Sequence, residues 1–258
     1  MTSFSAGQHA LAALAALGAG AVNAIADGGT LISFPALVAL GAGRVQANVT
    51  NTVALCTGYF GGAVAQRDEL TDERKRLTGL CVAAGLGGLT GSILLIVTGE
   101  AAFKRLVPWL ILLACALLGG QQWIRKVLKL GAGQQSGSAA GRSTAVTLGA
   151  TYLVSIYGGY FGAGLGIMLL AVLGLLFGDG LKRLNALKQA LALVINVVAA
   201  VFFSFSGHVL WTVAAVMAPA SLLGGVVGGK LVGHINPRVL RAVVVGYGTV
   251  LALWYLFR

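Results

Sequence analysis

Long apolar runs recur along the whole chain, and short polar stretches separate them. Most of the ten runs reach about 18 residues or more, a length typical of transmembrane helices rather than of buried helices in soluble proteins. The pattern therefore predicts an all-α integral membrane protein that passes the membrane several times. The runs lie at roughly 8–26, 30–42, 45–66, 77–98, 105–124, 144–161, 165–178, 184–206, 209–233 and 238–257.

The order of these segments repeats in the second half of the chain. Each half has a long segment, a Gly-rich break, a short segment and then three long ones. The breaks are DGGT at 27–30 and GAGLG at 162–166, and a second match joins GGLTG at 87–91 to GGVVG at 224–228. Both matches have an offset of about 135 residues, as an internal repeat requires.

The repeat divides the chain into a first transmembrane repeat at 1–130, a Gly/Ser-rich linker at 131–143 and a second transmembrane repeat at 144–258. A short segment of about 14 residues reaches about 21 Å, whereas the hydrocarbon core is about 30 Å thick. Each short segment therefore either forms a re-entrant hairpin with the long helix before it or tilts within a thinned region. Each half then adds three long transmembrane helices. Short segments interrupted by glycine at matching places of two halves indicate the binding site of a transporter.

The net charge of +11 reflects basic residues that cluster in the short loops and the linker. If each half crosses the membrane an odd number of times, thirteen Lys and Arg residues face one side and four face the other. The positive-inside rule makes the richer side cytoplasmic. We therefore predict a cytoplasmic linker, both termini on the opposite side, and two inverted repeats in the cytoplasmic (inner) membrane. The expected partner is the lipid bilayer, and no nucleic acid is expected.

The first break combines a carboxylate with two consecutive glycines, at Asp27, Gly28, Gly29 and Thr30. Glycines expose backbone N–H groups at the start of the next helix, and a helix N-terminus attracts anions. Asp27 has two interpretations. It either N-caps the short helix at a wet surface or carries a coupling proton in a site of low dielectric constant.

Two polar stretches follow the breaks. Asn48, Thr50 and Asn51 open the third segment, where they either bind a small oxyanion or cap a helix at the interface. In the second half Asn185, Lys188 and Gln189 precede Asn196, which lies two turns beyond Lys188 and on nearly the same side of the helix. Lys188 either snorkels to the cytoplasmic face or meets a buried anion.

No pattern of a catalytic nucleophile, a metal site or a cofactor site occurs in the chain. The three histidines lack ligand spacing, and the three cysteines lie inside apolar runs, where they are expected to be free thiols. We therefore expect no enzyme activity, no metal and no cofactor. The remaining candidates are a carrier, an anion channel and a membrane scaffold.

In the order and spacing of these motifs the chain resembles the TauE/SafE family of membrane permeases, also called sulfite exporters. It departs from the family pattern at Asn23 and Gly158, where an acidic residue is common, at Thr52, where Lys is common, and at Asp27, which replaces a glycine. The resemblance rests on Asn23, Asp27-Gly28-Gly29, Phe34-Pro35, Ala47 to Thr52, Tyr157 to Gly166, Leu184 to Lys188 and Gly207 to Trp211.

The resemblance implies a secondary transporter for a small sulfur-containing anion such as sulfite, sulfoacetate or a related organosulfonate, coupled to protons. An anion channel of the same fold and a carrier for another small organic anion stay open, as does a homodimer. The predicted substrate-binding residues lie on and beside the two breaks: Asn23, Asp27, Gly28, Gly29, Thr30, Asn48, Thr50, Asn51, Tyr157, Gly162, Gly164, Gly166, Asn185, Lys188, Gln189 and Asn196.

Overall fold

The fold is known from a computed structural model that describes residues 4–65, 70, 74–127, 144–177, 179–231 and 237–257. All regular secondary structure in these ranges is helical. The helix α4 bends sharply at Gly99, where φ is 66° and ψ is −174°, so it consists of two arms at 74–98 and 100–127. The helices are α1 (Ala6–Ala26), α2 (Thr30–Ala39), α3 (Arg44–Ala65), α4 (Arg74–Val127), α5 (Thr144–Tyr160), α6 (Leu165–Leu176), α7 (Leu181–Ser204), α8 (Trp211–Leu231) and α9 (Pro237–Leu256).

The prediction of an all-α integral membrane protein is confirmed. Five helical stretches among the described residues are long and apolar enough to span a membrane, and one of them, Arg76–Ile124, has 49 residues and contains both arms of α4. The helices that follow the two breaks are short, with 10 residues in α2 and 12 in α6. The two arms of α4 provide the fourth and fifth segments of the first half, so the described helices follow the predicted segment order.

The first short helix returns to the end of the molecule at which the chain starts. The side-chain amide of Gln8, in the first turn of α1, donates a hydrogen bond to the carbonyl of Leu40, just after α2, at 2.9 Å. At the same end, the Glu100 carboxylate accepts hydrogen bonds from the backbone N–H groups of Arg44 at 2.6 Å and Val45 at 2.9 Å. Of the two alternatives for this short segment, the structure therefore has the hairpin.

The second hairpin closes at the opposite end of the molecule. A Cβ on Gly79 would lie 3.6 Å from Leu148, so α5 starts beside the start of α4. The guanidinium of Arg76 binds the carboxylate of Asp179, which follows α6, at 2.7 Å. Arg76 lies near the start of the first arm of α4 and Glu100 directly after its end, so the two residues are separated by about 36 Å, the length of that arm. The two hairpins therefore enter from opposite ends, and the inverted repeat stays a prediction. The linker lies outside the described residues, and the orientation in the membrane stays a prediction.

The matched glycines of the two halves have the same role. The helix α1 packs on α8, and α5 packs on the first arm of α4. A Cβ on Gly224 would collide with the Leu17 carbonyl of α1, and a Cβ on Gly87 would collide with the Tyr152 carbonyl of α5. Small residues at these positions let two backbones touch, which is how helices associate where lipid removes the hydrophobic driving force. Each hairpin is thus held by the fourth helix of the other half.

Candidate functional site

The N-terminal ends of the two short helices face each other inside the bundle. The helices α2 and α6 have 10 and 12 residues, so their lengths of about 15 and 18 Å nearly fill the 36 Å of the first arm of α4. They run outward to opposite ends of the molecule, so their N-termini meet near half depth. The contact is direct: a Cβ on Gly166 would lie 2.8 Å from the carboxyl carbon of Asp27. The structure therefore brings the two breaks together.

A buried ion pair joins the second half to the first break. The ammonium of Lys188, two turns into α7, lies 2.7 Å from Oδ2 of Asp27. The Lys188 side chain is 6% exposed and that of Asp27 is 18% exposed. The snorkelling interpretation of Lys188 is therefore wrong, because the ammonium finds a carboxylate inside the bundle and does not extend to the surface.

The N-cap interpretation of Asp27 is also wrong. Asp27 ends α1 in the left-handed conformation, with φ at 60° and ψ at 30°. The N-cap of α2 is Gly29, which has no side chain to accept a bond from the first turn. The carboxylate instead points to α7 and the first turn of α6. Of the two roles considered for Asp27, the coupling role stays a prediction, and the structure places the side chain, 18% exposed, beside the breaks.

The surroundings of the ion pair are almost wholly apolar. The phenol of Tyr59 on α3 lies close enough to Asp27 to interact with it electrostatically. A Cβ on Gly28 would meet Leu118 of α4 at 3.0 Å and Val244 of α9 at 3.5 Å. The elements around Asp27 therefore supply one cation, one phenol and hydrocarbon, and the pair has no second counter-ion among the described residues.

A polar side chain stabilises the backbone of each break. In both cases this side chain lies six residues before the backbone group that it binds. The amide oxygen of Asn23 accepts a hydrogen bond from the Gly29 N–H at 2.7 Å. The hydroxyl of Tyr157 donates to the Ala163 carbonyl at 2.6 Å. Asn23 and Tyr157 were both predicted to bind substrate, and the structure gives each of them a bond that fixes the shape of a break. Gly162 and Gly164 have φ values of 74° and 73°, a conformation that glycine adopts without strain.

The polar cluster at the start of α3 is buried, so the interpretation of these residues as interfacial caps is wrong. Asn48 and Asn51 are 1% and 2% exposed. The Asn48 amide nitrogen donates to the Tyr160 carbonyl at 3.0 Å, and Thr50 accepts a bond from the Leu210 N–H at the start of α8. The side-chain oxygens of Asn48 and Asn51 are buried and have no hydrogen-bond partner among the described residues. They are therefore candidates to bind a ligand.

The other predicted residues of α7 and α2 make no polar contact with another helix among the described residues. Asn196 is 8% exposed, and its amide donates to the Ala192 carbonyl at 2.8 Å, one turn back in its own helix. Thr30, Asn185 and Gln189 are half-buried, and their side chains make no hydrogen bond within the ranges that the structure describes. Thr30 is the last residue of the first break, and Asn185 and Gln189 lie within one turn of Lys188 on α7, so position along the chain is what favours these three residues.

Two polar groups were missed from the sequence: Tyr59, which interacts with Asp27, and Gln121, one turn beyond the Leu118 side chain that lies beside the first break. Gln121 on the second arm of α4 is 2% exposed, and its side-chain oxygen has no partner in the described part of the chain. Tyr59 follows Asn51 by two helical turns and so shares a face of α3 with it. A single amide in an apolar run and the i, i+8 spacing of Asn51 and Tyr59 are the signals that could have identified them.

Aromatic side chains fill the space between the breaks and the end of the molecule at Glu100. Phe34 of α2, Phe103 of α4 and Phe161 beside the second break are at most 2% exposed. Their rings pack edge to face, with centroids 5.4 Å apart for Phe34 and Phe161 and 6.2 Å apart for Phe34 and Phe103. In this conformation, therefore, these rings occupy the Glu100 side of the breaks.

Comparison with known proteins now decides the family. A model of the family described as sulfite exporter TauE/SafE matches residues 12–255. The chain belongs to the TauE/SafE family. The resemblance seen in the sequence motifs is thereby confirmed, and the family makes the protein a multi-pass membrane protein.

Relatives are named as transporters but without a substrate. A probable membrane transporter protein ORF9 of Sinorhizobium is 29% identical over 95% of this chain and 92% of its own length. A probable membrane transporter protein of Haemophilus influenzae is 28% identical over 87% and 85%, and the Escherichia coli probable membrane transporter protein YfcA is 25% identical over 93% and 86%. No solved structure matches the chain. Family and relatives together support a membrane transporter.

Proposed function

We propose that the protein is a secondary transporter that carries a small sulfur-containing anion across the cytoplasmic membrane, with protons as the coupling ion. The observation that carries this proposal is the buried ammonium of Lys188 at the place where the two short helices begin. A charged side chain in the middle of a membrane bundle is a marker of function, because burying it costs about 2.5–3.5 kcal/mol on insertion scales.

The charge distribution around Lys188 suits an anion. Each short helix contributes about half a positive charge at its N-terminus. The backbone N–H groups of Gly28 and Gly166 donate no hydrogen bond within the described residues. Lys188 and the two helix ends therefore outweigh the single negative charge of Asp27, and a small oxyanion would find a compact cation and free N–H donors in one place.

The substrate class follows from the family and from the side chains at hand. The family model is described as a sulfite exporter, and the amides of Asn48 and Asn51 can present either donor or acceptor atoms to the oxygens of a small oxyanion. A lysine binds as a compact point charge rather than as a planar fork, so it favours a tetrahedral or pyramidal oxyanion no more than a carboxylate. The choice between sulfur oxyanions and carboxylates therefore rests on the family.

A carrier fits the geometry better than a channel. The carboxylate of Asp27 is bound to Lys188, which is the cation of the site. Buried aromatic rings fill the space on one side of this pair. A channel needs a continuous path in its open state, whereas a carrier exposes its site to one side at a time. In liposomes, flux that saturates and responds to a pH gradient favours the carrier, and a current that grows linearly with anion concentration favours the channel.

Thermal stabilisation of the detergent-purified protein tests the binding proposal. Sulfite, thiosulfate, sulfoacetate and simple carboxylates are added at increasing concentrations. A ligand at a hundred times its Kd stabilises the folded state by about 2.7 kcal/mol, which is easily detected as a rise in Tm. We expect a sulfur-containing anion to stabilise the protein most. Stabilisation by carboxylates alone would assign another substrate class, and no stabilisation by any of these anions would contradict the proposal.

Two lysine variants show whether the stabilisation comes from the site. Lys188→Gln should weaken anion binding by about tenfold or more, since the loss of one charge-assisted contact is worth about 1.5–3 kcal/mol. Lys182→Gln is the matched control, because Lys182 lies six residues earlier on the same helix and is exposed. Equal stabilisation of the parent and both variants would show that the anion binds elsewhere.

A further inference from the structure

We propose that Asp27 is a built-in competitor of the transported anion, so that an anion binds by displacing this carboxylate from Lys188 while a proton neutralises it. This inference rests on the proposed function and specifies how its site works. The Asp27 side chain then has two roles: it binds Lys188 when no anion is present, and it couples anion binding to protons.

The Asp27 carboxylate already makes the contacts that an oxyanion would need. One oxygen lies 2.7 Å from the ammonium of Lys188. The carboxyl carbon and the other oxygen would each be 2.8 Å from a Cβ on Gly166, so the carboxylate lies against the first turn of α6. A carboxylate and a small sulfur oxyanion are both compact groups that accept hydrogen bonds through oxygen. They therefore compete for the same cation and the same helix end.

The backbone at Asp27 is held in a special conformation. Among the described residues, Asp27 is the one residue other than glycine that has a positive φ, at 60°. This conformation is strained for a residue with a Cβ, although aspartate tolerates it better than most. The ion pair with Lys188 offsets that strain. When an anion takes over Lys188, the carboxylate loses its counter-ion and its side chain turns away from Lys188, while the Asp27 N–H keeps its bond to the Asn23 carbonyl.

The charge balance gives the stoichiometry. The titratable groups that face Asp27 are Lys188 of α7 and Tyr59 of α3, while α4 and α9 present Leu118 and Val244 nearby. A monoanion bound to Lys188 would leave Asp27 without its counter-ion among hydrocarbon. A buried carboxylate without a partner takes up a proton rather than stay charged. Binding of one monoanion therefore adds one proton, and the empty and loaded sites carry the same charge.

Calorimetry measures this proton directly. Methanesulfonate is the probe, because this sulfonate stays a monoanion at every pH used and so contributes no proton of its own. Its binding to the detergent-purified full chain is titrated in two buffers of different ionisation enthalpy. We expect the parent to take up one proton per anion bound, and its Kd to rise tenfold for each pH unit.

Asp27→Asn removes the competitor, so it should bind methanesulfonate at least tenfold more tightly than the parent, with no proton taken up and no dependence of Kd on pH. Asp179→Asn is the matched control, because this carboxylate pairs with Arg76 outside the site, and the variant should keep the proton uptake of the parent. If Asp27→Asn does not fold, the proton count and the pH slope of the parent decide alone.

The outcomes separate the two proposals. Two results would refute the role of Asp27 as a competitor and leave the proposed anion site unaffected. Methanesulfonate would bind the parent without uptake of a proton, or it would bind Asp27→Asn no more tightly than the parent. If it binds neither protein while other sulfur anions fail to stabilise the fold, the proposed function is wrong and the competitor with it. If other sulfur anions bind and methanesulfonate does not, the competitor proposal is refuted for monoanionic sulfonates. The proposal that the protein is a transporter is then kept.

Discussion

The ion pair between Asp27 and Lys188 makes a prediction about stability that needs no substrate. Removal of one partner from a buried ion pair costs about 3–5 kcal/mol, because the remaining charge has no counter-ion. Lys188→Gln leaves a carboxylate whose side chain is 18% exposed, so we expect the free energy of unfolding to fall by about 3 kcal/mol. Asp27→Asn leaves an ammonium on a side chain that is only 6% exposed, so the fall should be at least as large. For a chain of this size, 3 kcal/mol corresponds to a fall in Tm of about 6–12 °C.

The double variant Asp27→Asn/Lys188→Gln should recover most of this loss. Two neutral amides can hydrogen-bond to each other and leave no charge unpaired, so we expect the double variant to lie within about 1 kcal/mol of the parent. The coupling free energy of the double-mutant cycle is then about 5 kcal/mol or more, far above the few tenths expected for independent sites. Thermal unfolding in detergent, followed by the fluorescence of the four tryptophans, measures all four proteins.

A cycle with additive losses would refute this reasoning. If the two single losses simply sum in the double variant, the two side chains do not pair in the folded protein, and the site would need another description. Lys182→Gln provides the control, because an exposed lysine on the same helix should change the free energy of unfolding by less than about 0.5 kcal/mol.

Four further predictions concern the breaks, the helix contacts, the lysine and the topology. Gly29→Leu should abolish transport while the protein still inserts, because a Cβ there would collide with α1, and transport in liposomes measures this. Gly91→Leu should lower Tm strongly since its Cβ would meet the backbone of α5, whereas Gly149→Leu, with open space around it, should not. Lys188→Arg should rescue anion affinity only in part, because a planar fork does not replace a point charge. A cysteine at Ser136, in a chain without the three native cysteines, should be labelled only from the cytoplasmic side.

Much of the fold was predictable because membrane helices follow from simple patterns. Long apolar runs gave the helices, and the two Gly-rich breaks gave the short helices α2 and α6 at matching places. The glycines at 87–91 and 224–228 were predicted as a repeat, and the structure gives both sets the same contact role. These features are local, so periodicity and composition are enough to find them.

The site was less predictable because side-chain pairing depends on which helix lies opposite. The sequence identified Lys188 and Asp27 but favoured a snorkelling lysine and a capping aspartate. The pairing at 2.7 Å needed the two hairpins to meet, which no local pattern specifies. Gln121 was missed because one amide in an apolar run carries no periodic signal. Asn23 and Tyr157 looked like ligands, and only the backbone contacts show that they brace the breaks.

The way in which each hairpin is held by the other half has a consequence for biosynthesis. The partner of Asp27 lies 161 residues further along the chain. At about 5–20 residues per second, a ribosome needs about 8–32 s to make that stretch. The partner helix of α1, which is α8, follows later still. The first hairpin must therefore wait in the membrane with an unpaired carboxyl group and an uncovered glycine face. During that time the insertion machinery or lipid must cover the glycine face, and a proton on Asp27 must neutralise the carboxyl group, because the rest of the fold is not yet present.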